Sequence, residues 1–138
     1  MNSGKTTIHE YDSVIYPLHL WVAINPTFKE LSNKFLAITE NGEVLEFIED
    51  NIPDSTQTIA TTFKVVNKKS GIGGPFVLIF QPKRINVKYI AHEATHATDF
   101  FAEALGISSG SFEHGEAYAY LVGWVADCIE RTTKKKKK

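Results

Sequence analysis

A single cysteine, Cys128, excludes any disulfide within the chain, so stability must come from a packed core. Its place in an apolar helical stretch makes it a packing residue before it is a nucleophile. Long apolar runs are also missing, since no stretch approaches the roughly 18 residues that a membrane span requires. The most apolar early segment, Val14 to Ile24, is broken by Pro17 and His19 and preceded by Glu10 and Asp12. Those interruptions argue against a signal peptide and for a strand. Charge of one sign is scarce as well. With 15 basic and 16 acidic residues the formal net charge is -1, which gives no overall attraction to nucleic acid or an anionic membrane. The exception is local: the run Lys134 to Lys138 reads as a solvated, disordered tail, with at most a weak role toward nucleic acid. Together these absences predict a soluble, cytoplasmic protein with no membrane partner.

What is present is an ordinary globular composition, 43% hydrophobic and 22% charged over 138 residues, enough for one domain over residues 1–133. The N-terminal half alternates short β-rich runs with turn residues. Strands are expected over Val14–Ile24, Phe35–Thr39, Glu43–Ile48, Thr58–Val66 and Phe76–Gln81, and a short helix over Thr27–Phe35. Asn41-Gly42 marks a hairpin turn. Gly71, Gly73 and Gly74 mark a hairpin loop and not an anion cradle, because they lie between strands and not before a helix. Gly4-Lys5-Thr6 has the ending of a phosphate-binding loop without its upstream glycine and strand, so it carries no such reading.

From Val87 onward the pattern turns helical. Ile90, Ala94, Ala97, Phe101 and Leu105 recur at helical spacing, and Gly106 is placed as the C-terminal stop. A second helix is expected from about Phe112 to Arg131, apolar on nearly every side between Ala117 and Ala126 and therefore buried. The fold class that follows is α+β, a small antiparallel or mixed sheet packed on two helices.

The first of these helices carries His92-Glu93-Ala94-Thr95-His96, the pattern H-E-x-x-H. Residues four apart share a helix face, about 5–6 Å apart at Cβ. Both imidazoles can therefore reach one metal ion, while Glu93, one step around the helix, is placed to take a proton from a nearby water. With 5 His and 11 Glu in 138 residues, the pattern arises by accident somewhere in such a chain in only about 1–2% of cases.

The segment resembles the zincin metallopeptidases, whose active-site helix carries this motif beneath a small sheet. A metzincin continuation would need glycine at 99 and histidine at 102, where this chain has Asp99 and Ala102. The gluzincin branch takes a glutamate from a following helix, and Glu116 stands twenty residues after His96. The resemblance therefore implies Zn2+ held by His92, His96 and Glu116. Independently of the family, a carboxylate at the start of an apolar helix invites a compensating charge; the helix dipole at a first turn is the other account of it. Asp99, Glu113 and His114 are rival third ligands, and Asp99 also suits a group that orients an imidazole. Two positions depart from the gluzincin pattern: Tyr120 where an acid is common and Thr98 where a hydrophobic residue is common.

The implied activity is zinc-dependent hydrolysis of a peptide or protein substrate, with a metal-activated water and Glu93 as general base. His114 or Tyr118 is the expected donor to the developing oxyanion. Phe76–Phe80, the last strand before the helix, resembles the edge strand on which zincins align an extended substrate, though an ordinary core strand fits it equally. The alternative function is a zinc-containing binding or regulatory module without turnover.

Overall fold

The computed structural model describes residues 8–49, 52–53, 56–106 and 115–137. Six strands form one mixed sheet: β1 (Ile8–Asp12), β2 (His19–Ile24), β3 (Phe35–Ile38), β4 (Val44–Leu45), β5 (Ala60–Asn67) and β6 (Gly73–Ile79). Their order is β1-β2-β6-β5-β3-β4, with β2 and β6 parallel and every other pair antiparallel. Helix α1 (Phe28–Lys34) follows β2, and helices α2 (Val87–Leu105) and α3 (Gly115–Lys137) close the described chain. This is the α+β arrangement expected from the sequence. Among the described residues no helix is long and apolar enough to cross a membrane.

Local sequence explains the element boundaries. Thr27 and Glu30 form a reciprocal capping box at the start of α1, with Glu30 N–H donating to Thr27 Oγ1 at 3.0 Å and Thr27 N–H to Glu30 Oε1 at 2.9 Å. Asn86 caps α2 by accepting from Tyr89 N–H, and Gly106 ends the helix in the left-handed conformation at φ 73°. The hairpin signal at Asn41-Gly42 is realised as a turn closed by Gly42 N–H to Thr39 O at 2.9 Å.

Strand alternation gives the sheet two apolar faces. Leu20, Val22, Ile24, Val77 and Ile79 point to one side and pack against Ala94, Ala97 and Phe101 of α2 and Leu121, Val125 and Ile129 of α3. Trp21, Ala23, Val65, Phe76 and Leu78 point to the other, where Leu31 of α1 and Phe35 cover them. There Phe35 makes edge contacts with Trp21 at 5.1 Å and with Phe76 at 5.3 Å between ring centroids.

Three expectations are corrected. Strand β1 exists although the sequence reading places no strand there, and β2 begins at His19, after bends in the chain over Val14–Pro17. Strand β6 is paired on both sides, by β2 and β5, so it is not a sheet edge. Helix α3 is not buried all round: Glu116, Ala119, Tyr120, Gly123 and Asp127 form an exposed stripe at helical spacing. The helical backbone of α3 runs to Lys137. Lysine is a good helix former, and positive charge suits a helix C-terminus.

Two glycines make opposite predictions. A Cβ at Gly74 would lie 1.8 Å from the His19 carbonyl oxygen, whereas a Cβ at Gly123 meets nothing within 4 Å. Gly74→Ala is expected to cost about 4 kcal/mol or more, or to abolish folding, because only a backbone shift relieves the clash. Gly123→Ala is expected to stabilise by up to about 1 kcal/mol through helix propensity. Urea denaturation of both variants checks the pair.

Candidate metal centre

The rotation of α2 on the sheet decides which of its side chains meet. Burying Ala94, Ala97, Thr98 and Phe101 leaves His92, Thr95, His96 and Asp99 on the exposed side, with Glu93 between the two. On that side the Nε2 atoms of His92 and His96 lie 3.2 Å apart, with the rings at 75° and centroids 4.7 Å apart. Two ligands of a tetrahedral zinc ion with bonds of about 2.0–2.1 Å stand about 3.3–3.4 Å apart. The two Nε2 atoms are thus within hydrogen-bonding distance of each other, a separation that is also close to what one ion requires, and both rings are open to solvent.

Glu93 is only 5% exposed. Its Oε1 accepts a hydrogen bond from Thr62 Oγ1 at 2.6 Å, so β5 fixes one carboxylate oxygen and leaves the other to accept a proton. Thr62 is the residue that sequence reasoning missed, 31 positions earlier in the chain. A signal was present. In the β5 run, Phe63 and Val65 face the α1 side, so Thr62 and Lys64 must face the helices. Polar side chains on a covered face need polar partners, and both find acids of α2: Thr62 meets Glu93, and Lys64 lies 3.4 Å from Glu103. A cleft of about 390 Å³ runs beside the motif, lined by Gln57 to Ala60 and by Lys88, Tyr89, His92 and Glu93.

The remaining expected site residues are placed differently. Glu116 lies in the first turn of α3 and is exposed. The desolvation argument for it as a ligand therefore falls away, and the positive end of the helix dipole accounts for a carboxylate there. Among the described residues no group of three His, Cys, Asp or Glu side chains is gathered to hold a metal. His114 and its rival Glu113 lie outside the described residues. Tyr118 donates its hydroxyl proton to Asp99 Oδ1 at 2.7 Å, tying the start of α3 to α2. Burial, and next the bond to Asp99 and its negative charge, push the Tyr118 phenol up to about 12. Asp99 thus takes a phenol as its partner. Cys128 is fully buried, and burial raises its thiol to about 11, in keeping with a packing role.

No protein-family model, no curated protein and no solved structure matches the chain. The resemblance to zincins thus rests on the His92-Glu93-Ala94-Thr95-His96 motif alone.

Two measurements follow from these contacts. Thr62→Val is expected to lower stability by about 1–3 kcal/mol by leaving a buried carboxylate oxygen without its donor, and Thr62→Ser to restore most of it; equal stability of the valine variant in urea would refute the Thr62–Glu93 bond. Tyr118 titrates higher folded than its ordinary value of 10.0. Its contribution to stability is then fully present below about pH 10 and lost as pH rises through about 12. Phenolate absorbance should show one late-titrating tyrosine that Tyr118→Phe removes and that Asp99→Asn shifts only part of the way back toward its ordinary value.

Proposed function

We propose that the chain is a zinc-dependent hydrolase acting on peptides, with a zincin-like arrangement in which His92 and His96 hold the metal and Glu93 is the general base. The observation that carries this reading is the 3.2 Å separation of the two Nε2 atoms on the open face of α2, with a buried acid on the intervening position. Bound zinc supplies Lewis acidity, lowering the pKa of a water and polarising a carbonyl oxygen. The chain's own residues do the rest. Glu93, held by Thr62, takes the proton of the attacking water and returns it to the leaving amine. Glu116 is proposed as the third ligand on its spacing from His96, and His114 as a donor to the oxyanion. Tyr118 can serve as that donor only by leaving Asp99.

A peptide substrate is favoured by the sheet edge beside the motif. The pairing of β3 with β5 stops at Lys64, and among the described residues no strand pairs with Ala60 to Phe63 on that side. Phe80 N–H bonds Ile59 O, so by alternation Ala60 and Thr62 turn their backbone N–H and C=O away from β6 toward this open edge. An extended peptide adding to β5 would pass Thr62 and Glu93. β5, and not β6, is thus the proposed substrate strand. These contacts, and localisation in the cytoplasm, are part of the proposal.

Purified protein is expected to hold about one zinc per chain by metal analysis, and the His92→Ala/His96→Ala double variant to hold none. Glu116→Ala should weaken zinc binding by about tenfold or more, the size seen when metal-site support is lost. Glu93→Gln should keep the zinc and lose cleavage of a fluorogenic peptide library. Wild-type protein that binds zinc and cleaves nothing in that library would favour the silent binding module.

A further inference from the structure

The approach to the motif along α2 is positively charged. Lys83, Arg84 and Lys88 are exposed, and among the described residues no acid forms a salt bridge with any of them. The described segments 56–60 and 81–92, which meet at this end of the helix, contain these cations and no acid. Lys88 is also a poor choice for stability. It stands in the first turn of α2, at the positive end of the helix dipole, where a carboxylate is favoured and a cation is not. No acid in that turn offsets it. A cation kept where it weakens its own helix calls for an account beyond folding.

Geometry brings this charge to the cleft beside the motif. Lys88 precedes His92 by four residues, so the two share a helix face about 6 Å apart along the axis. The Lys88 ammonium lies 5.5 Å from the centre of the Tyr89 ring, a cation–π contact that restrains a flexible side chain. Lys88, Tyr89, His92 and Glu93 form the helix side of the cleft. Arg84 is tied to its strand side: Nη1 donates to Gln81 Oε1 at 3.2 Å, and Gln81 Nε2 donates to the Thr58 carbonyl at 3.3 Å. Glu93 is the acid of the cleft lining, but it is almost fully buried and bonded to Thr62, and it pairs with neither cation.

Resting on the peptidase reading above, we infer that this end of the cleft recognises a carboxylate, and that the substrate is an acidic peptide whose carboxylate pairs with Lys88 and Arg84. An extended chain advances about 3.3 Å per residue. A carboxylate at Lys88 therefore belongs to a residue about two positions from a carbonyl held at His92 and His96. Like-charge repulsion from Glu93 directs the acid to the start of α2 and away from the base. An acidic side chain and a free C-terminus offer the same chemistry here. Nucleic acid is also anionic, but the open edge of β5 presents backbone donors and acceptors that an extended peptide matches.

Fluorescence anisotropy of the full chain with dansyl-labelled alanine peptides tests it, because binding is read without zinc or turnover. The probes carry a central Glu-Glu or Gln-Gln pair, each with a free or an amidated C-terminus. At least one carboxylate source should tighten binding over the neutral amide by about fivefold, and salt should erode the gain. The probe that gains identifies the source. Lys88→Gln and Arg84→Gln should each weaken binding of that probe about three- to fivefold, and Lys88→Arg should keep it. Lys88→Glu should turn the preference toward a Lys-Lys probe. Both positions are exposed, so these variants are expected to fold. Equal binding of acidic and neutral probes, an undiminished preference in Lys88→Gln, or tighter binding of a single-stranded oligonucleotide would each overturn the inference. Any of these with zinc and cleavage intact leaves the peptidase reading standing; acid preference without zinc or cleavage removes that reading and keeps the carboxylate site.

Discussion

The seating of α2 on the sheet is the constraint from which the candidate site follows. A helix can bury only one stripe, and here the stripe is made of small residues, Ala94, Ala97 and Thr98, with Phe101 as the one large side chain. Small residues bring the helix axis close to β5 and β6. That closeness lets Thr62 reach Glu93, and it fixes the rotation that turns His92 and His96 outward together. A helix rolled by one residue would bury a histidine and expose the acid.

Polar groups then complete what apolar packing begins. Thr62 and Lys64 turn two positions of β5 into partners for acids of α2, so the helix is tied to the sheet at both Glu93 and Glu103. Tyr118 ties α3 to α2 at Asp99, one turn after His96. The exposed pair Lys64–Glu103 adds little to stability. The buried acid is a different matter, because an unpaired carboxylate at that depth would be costly. Chemistry and architecture therefore meet in the same contact, and the proposed base is also what registers the helix on the strand.

Much of this was legible in the sequence, in the places where local chemistry decides. The Asn41-Gly42 turn, Gly106 and the helical spacing of α2 each act within a few residues, and each forms where the pattern puts it. The shared face of His92 and His96 is of the same kind, a consequence of helix geometry alone. What escaped depends on contacts distant in the chain. β1 alternates Ile8, Glu10 and Asp12 with His9 and Tyr11, a pattern with too little apolar content to announce a strand; it forms because β2 offers a register. Whether β5 or β6 has a free side is a property of sheet order. The exposed stripe of α3 carries Ala119, Tyr120 and Gly123, residues that read as core in a one-dimensional pattern.

The central claim, that His92 and His96 are joint ligands of one ion, is tested most directly by X-ray absorption at the zinc edge of the purified, zinc-loaded protein. The geometry predicts an inner shell containing two imidazole nitrogens at about 2.0–2.1 Å, with the outer-ring scattering that identifies histidine. A shell of oxygen alone, with no imidazole scattering, would contradict it.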